Sequence, residues 1–267
     1  MLINAQNGFE VGSEIQARYA RSHDKPIIAV INQLDSEKAS WEASLDSIRA
    51  ASQVTPVVVQ YPVNPGPDFN AFIDVLLMKM YKFKGDTGIR EELDIPAEEM
   101  ERATELNRIL TEAAAENDEA LMELYFEKGV LTQDELRSGL KLGLAKRDLI
   151  PVFCASGKRD IGAKRLMEFI INVAPGPLKA PNFVTVDGRE IEPDSNGPTA
   201  LFVFKTTVEP HLGEVTYFRV ISGKVTEGME LVNSKTGNKE KISQLFAVAG
   251  KNRVKVTEMM AGDIGCT

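Results

Sequence analysis

The apolar positions change their period along the chain, and the changes divide it. Pro26-Ile27-Ile28-Ala29-Val30-Ile31 is a continuous apolar run, the pattern of a parallel strand covered on both faces. Ser13 stands where it can cap a helix running to about Arg21 ahead of that strand. Trp41, Leu45 and Ile48 then recur at helical spacing and lead into the β-branched run Val57-Val58-Val59. Successive helix and buried-strand steps predict a doubly wound α/β sheet.

Pro62, Pro65, Gly66 and Pro67 interrupt the alternation, and the stretch from there to Ala145 reads as mostly helical. Within it, Thr132 and Glu135 have capping-box spacing ahead of Leu136, Leu140 and Leu144. The buried-strand pattern returns at Leu149-Ile150-Pro151-Val152-Phe153-Cys154, followed by a helix carrying Leu166, Phe169, Ile170 and Val173. Residues 62–147 are therefore predicted to be an insertion into an α/β domain formed by residues 1–61 and 148–176. Ala174-Pro175-Gly176-Pro177 and Pro181 stiffen a linker extending to residue 197. Beyond it, Leu201–Phe204, Val215–Ile221, Met229–Val232 and Lys241–Phe246 are short strand candidates parted by Gly213, Gly223, Gly228 and Thr236-Gly237-Asn238. They predict a small antiparallel β-barrel over residues 198–267, without a closing strand at Gly262–Thr267. The fold class is thus α/β plus β.

Composition narrows the chemistry. No run approaches the roughly 20 apolar residues of a membrane-spanning helix, and Met1-Leu2-Ile3-Asn4 does not resemble a secretory leader. A cytoplasmic, monomeric protein is expected, with neither membrane nor DNA as a partner. Cys154 and Cys266 are far apart and are expected to be buried free thiols. His23 and His211 are equally separated, so surface or packing roles are expected and no metal site is predicted. The net charge of −8 is concentrated in one place: residues 91–119 hold eleven acidic side chains against Arg102 and Arg108. The remainder is close to neutral and leaves room for an RNA-contacting rim. The acidic helix, about Ala97 to Asn117, reads as a solvated face with Met100, Ala103, Ile109 and Leu110 turned inward.

The most specific motif is Asn32-Gln33-Leu34-Asp35, directly after the Ile27–Ile31 strand, where α/β sheets present ligand contacts. It resembles the Asn-Lys-x-Asp loop of guanine-nucleotide-binding proteins. In that reading Asp35 accepts hydrogen bonds from two guanine nitrogens, a pairing that adenine does not offer. Asn32 braces the loop, and Gln33 stands where the lysine packs over the purine. Asx side chains capping a turn after a strand use the same positions. The second motif, Cys154-Ala155-Ser156-Gly157-Lys158, resembles the loop in which a backbone N–H meets the purine carbonyl, with Ser156 and Gly157 at the matching positions and Lys158 beside them. Gly157-Lys158 is followed by Arg159, not Ser or Thr, and has no upstream glycine, so it is no phosphate loop.

Taken in order, these motifs resemble elongation factor G, a translational GTPase. Further segments carry the likeness: Asn4-Ala5-Gln6-Asn7-Gly8 through Glu14, Ala114–Met122 in the insertion, Asn196-Gly197-Pro198, Phe202–Lys205, Gly213–Gly223 and Ala261–Gly265. The resemblance implies an internal piece of a longer protein: the later part of a P-loop-type GTPase domain, its insertion and most of the second, β-barrel domain. It implies GTP or GDP with Mg2+ as ligand of the intact parent and tRNA and mRNA translocation on the ribosome as its function. No catalytic residue and no tight nucleotide binding are expected of residues 1–267 alone, because the phosphate-binding half and the Asp-x-x-Gly-His segment belong upstream of Leu2. The resemblance implies that the acidic helix 97–117 is a docking surface for the stalk protein of the large ribosomal subunit. Ribosome-protection and release-factor-recycling GTPases share the domain order, but Ala114–Met122 favours the translocase. Gln33 in place of lysine motivates another alternative, a ribosome-binding relative with weakened nucleotide use.

Overall fold

A computed structural model describes residues 1–209, 213–250 and 252–267, and the chain divides into two units, Met1–Ala174 and Pro175–Thr267. The first begins with β1 (Leu2–Asn4), α1 (Val11–Ser22), β2 (Ala29–Asn32), α2 (Trp41–Ala51) and β3 (Thr55–Val58). It continues with β4 (Gln60–Pro62), β5 (Ala71–Asp74), β6 (Lys79–Phe83), β7 (Arg90–Leu93), α3 (Ala97–Ala115), α4 (Glu119–Lys128) and α5 (Gln133–Lys146). It closes with β8 (Leu149–Cys154) and α6 (Ala163–Val173).

The α/β core is a wholly parallel sheet in the order β1-β2-β8-β3. Strand β8, which follows the insertion in sequence, lies between two strands that precede it. All six of its residues are buried, which explains why it reads as an unbroken apolar run. Phe153 on β8 meets Phe169 on α6 edge-on, with 4.8 Å between ring centres.

The insertion is more mixed than its sequence predicts. Its three helices follow a four-stranded antiparallel sheet, β4-β5-β6-β7. The strands are three to five residues long, and β5 is buried throughout, so alternation does not mark it. Pro62 occupies the end of β4, a position that proline tolerates. Helix α5 carries the expected capping box: Thr132 Oγ1 accepts the Glu135 N–H while the Glu135 carboxylate accepts the Thr132 N–H. Two other expectations need correction. Helix α1 starts at Val11, so Ser13 lies inside its first turn and does not cap it. On α3, Ala103 and Leu110 are buried as expected, but Met100 and Ile109 are exposed, and Thr111, Ala114 and Ala115 complete the inner face.

The second unit contains β9 (Phe183–Val184), β10 (Glu190–Ile191), β11 (Ala200–Glu209), β12 (Gly213–Ser222), β13 (Lys224–Thr226), β14 (Glu230–Val232) and β15 (Lys239–Lys241). It ends with β16 (Leu245–Ala249), β17 (Asn252–Val256), β18 (Glu258–Met260) and β19 (Ile264–Cys266). Five strands form an antiparallel sheet in the order β11-β12-β19-β16-β17, and the pairs β13-β18 and β14-β15 stand apart from it. Phe218, Val220, Val225, Ile242, Leu245 and Met259 form its core. The expectation of no closing strand is overturned: β19 lies between β12 and β16 and pairs with both. A Cβ at Gly265 would stand 2.9 Å from the Phe246 carbonyl oxygen and would press on the Met259 side chain. A glycine-rich, three-residue strand carries little periodicity, and its place in the sheet comes from the partners.

Both cysteines are buried free thiols, and His23 is exposed at the end of α1. His211 lies outside the described residues. Among the described residues no helix is long and apolar enough to cross a membrane, and no cluster of His, Cys, Asp and Glu could hold a metal ion.

Candidate functional site

Strands β2 and β8 are neighbours in the parallel sheet, so the loops that leave their C-terminal ends emerge side by side. Those loops hold Asn32-Gln33-Leu34-Asp35 and Ser156-Gly157-Lys158. Ligand contacts in open α/β sheets concentrate at such strand ends.

Three hydrogen bonds join the two segments across more than 120 residues of chain. Asn32 Oδ1 accepts the Gly157 N–H at 2.9 Å. Ser156 Oγ donates to Asp35 Oδ1 at 2.7 Å. The Leu34 N–H reaches the Ala155 carbonyl at 3.3 Å. Ser156 is completely buried, and its hydroxyl also accepts the Arg159 N–H at 3.2 Å, so it both donates and accepts. Asp35 is half-buried and keeps carboxylate acceptor capacity beyond the Ser156 bond.

The remaining predicted residues are placed differently. Gln33 is exposed and has φ of +64°, a left-handed conformation uncommon outside glycine, asparagine and aspartate. Gly157 needs no special backbone freedom, since a Cβ there would find Asn32 at ordinary contact distance, 3.7 Å. Lys158 is exposed and makes none of the bonds that join the loops. Gly162 ends the turn with φ of +89°, where a Cβ would fall 2.7 Å from the Cys154 carbonyl oxygen. That close approach lets α6 start directly beneath the turn.

Two contributors escape a reading of the motifs alone. The Gly66 N–H donates to the Leu34 carbonyl at 2.7 Å, which ties the first loop to the Pro-Gly-Pro segment of the insertion. Arg159 bonds to Asp86 and to the Pro67 and Phe69 carbonyls. In sequence Gly66 registers only as a breaker and Arg159 only as a departure from the phosphate-loop pattern. Their partners lie 32 to 92 residues away, and no local spacing announces them.

The acidic surface is built on α3. Glu98, Glu101 and Glu116 are exposed, whereas Glu105 and Glu112 both pair with Arg108 and Glu99 accepts the Tyr61 hydroxyl at 3.0 Å. Burial and the neighbouring Glu99 carboxylate both raise the Tyr61 pKa.

Comparison with known proteins identifies the second unit. Residues 198–266 match the family model of elongation factor G domain 2. Across both units the chain is similar to a crystal structure of a protein from Thermus thermophilus. That structure superposes with a TM-score of 0.84 at 28% identity over 99% of this chain. This chain spans 38% of that one's length. The chain is thus similar to elongation factor G domain 2 over residues 198–266.

Proposed function

We propose that residues 1–174 are the base-reading half of a guanine-nucleotide site in an elongation factor G-like GTPase, and that the parent protein promotes tRNA and mRNA translocation on the ribosome in the cytoplasm. The observation that carries the reading is the Ser156-to-Asp35 hydrogen bond, together with Asn32 receiving the Gly157 amide. The same bonds hold the Asp35 carboxylate beside Ser156 at the C-terminal ends of adjacent strands, where its free acceptor capacity matches the two adjacent donors of guanine. A purine carbonyl that reaches the Gly157 N–H shares that donor with Asn32. Lys158 is free to extend along the nucleotide.

The parent's GTP hydrolysis and Mg2+ binding require a phosphate cradle and carboxylate contacts to the metal, which lie outside the motifs present in residues 1–267. Glu98, Glu101 and Glu116 supply an exposed acidic face for a basic surface of the ribosomal stalk protein. Reversing Glu98, Glu101 and Glu105 to lysine is expected to abolish stalk binding, and unchanged binding would remove that assignment.

Exposed Gln33 favours a second reading, a ribosome-binding relative with weakened nucleotide use, because a neutral amide replaces a cation over the purine face. Calorimetry of GTP, GDP and ATP on the full-length parent and its Gln33→Lys variant separates the two. Guanine-selective binding that tightens with lysine supports the first, and absence of guanine binding in both supports the second.

A further inference from the structure

Arg159 is the residue in which the base-reading turn and the insertion meet. Its main-chain N–H is held by Ser156 Oγ at 3.2 Å, the same hydroxyl that donates to Asp35. Its side chain reaches the opposite way. Nε donates to Asp86 at 2.7 Å, and Nη1 donates to the Phe69 carbonyl at 2.9 Å and the Pro67 carbonyl at 3.1 Å. Those acceptors sit on two separate loops of the insertion, one before β5 and one between β6 and β7. The second loop also closes on the turn at Gly88, where a Cβ would stand 2.3 Å from an Asp160 carboxylate oxygen. Gly66 completes the arrangement by donating to Leu34, between Gln33 and Asp35.

We propose that Arg159 is a positioning residue for guanine reading, which it serves by clamping the 156–162 turn onto the insertion so that Ser156 holds Asp35 in its base-facing orientation. The proposal rests on the guanine-site reading above. A planar guanidinium suits the task, because one group satisfies a carboxylate and two carbonyls in fixed directions, which an ammonium on a flexible stem does not. Only 22% of the Arg159 side chain is exposed, so these bonds are less screened than those of a fully solvated pair. With the clamp released, the turn loses its anchor to the insertion and Ser156 gains freedom to leave Asp35. The cost falls on the contact that distinguishes guanine from bases lacking its exocyclic amino group.

The test compares GDP with inosine diphosphate, which lacks that amino group, by calorimetry on the full-length protein. The variants are Arg159→Gln, Arg159→Lys and Asp86→Asn, with exposed Arg49→Gln as control, each checked by thermal melting. Outer partners that orient a binding group are worth about 10–100-fold at metal sites, and the lower end is expected here. Arg159→Gln should reduce the GDP-over-IDP preference about tenfold, Arg159→Lys and Asp86→Asn should reduce it less, and the control should leave it intact. Deuterium exchange in peptides spanning 155–160 should rise in the same order. Wild-type protein that prefers GDP, with Arg159→Gln and Asp86→Asn retaining the full preference, overturns the clamp alone. Wild-type protein with no GDP-over-IDP preference overturns the base-reading assignment and the clamp with it. If Arg159→Gln fails to fold, Asp86→Asn decides, since it removes the charge of one partner and leaves both carbonyl bonds in place.

Discussion

Two charge networks in the first unit use the same side-chain chemistry in opposite surroundings. Asp74 and Arg165 pair at 2.7 Å with side chains 0% and 5% exposed, and Asp74 also accepts from Gln60 and from the Leu77 amide. Arg108 on α3 pairs with Glu105 and Glu112, all three 39–55% exposed. The buried network joins β4 and β5 of the insertion to α6 of the core, and its members become costly when one partner is lost. The exposed network joins residues of a single helix and is screened by water. The insertion is therefore joined to the core through the buried Asp74–Arg165 pair as well as through Arg159, whereas the Arg108 pairs stay within α3.

The largest effect should follow from breaking the buried pair. Asp74→Ala strands the Arg165 guanidinium in the interior and is expected to destabilise the chain by about 3–5 kcal/mol, read from urea unfolding. Replacing both partners with apolar residues of similar volume should recover much of that loss.

Alkaline titration probes the same region. Burial, followed by the nearby Asp74 and Glu92 carboxylates, pushes the Tyr81 pKa up to about 12 from an ordinary 10.0. A pKa raised in the folded state leaves its stabilisation intact below pH 10 and removes it as pH rises toward 12. Stability should therefore fall across that window, and Tyr81→Phe should flatten the fall. Loss of the capping box by Thr132→Ala should cost about 1 kcal/mol without changing the position of the insertion. The smallest effect belongs to the exposed network: Arg108→Gln should change stability by less than about 1 kcal/mol, with that small change shrinking further in high salt.

Legibility in the sequence follows the same division between local and distant causes. Strand β8 is readable because burial on both faces leaves an unbroken apolar run, and α5 because Thr132 and Glu135 signal a capping box within four residues. Asn32, Asp35, Ser156 and Gly157 are readable as two motifs, each following a strand, and the structure brings them together. The insertion's sheet is hidden because β5 is short, buried throughout and flanked by prolines on one side. Strand β19 is hidden because a Gly-Cys pair has no pattern until β12 and β16 flank it. Arg159 and the Asp74–Arg165 pair depend on partners 73–92 residues away, a separation at which periodicity and spacing carry no signal.

Guanine reading by Asp35, held by Ser156, is the function proposed for this site. Its most direct test is calorimetry of GDP and xanthosine diphosphate on the full-length protein and on Asp35→Asn, which replaces a carboxylate acceptor with an amide that also donates. GDP should be preferred by the wild type and the preference reversed toward xanthosine diphosphate in the variant, whose amide can meet the carbonyl that xanthine carries in place of the amino group. Equal affinities for the two nucleotides in the wild type, or a GDP preference untouched by Asp35→Asn, would contradict it.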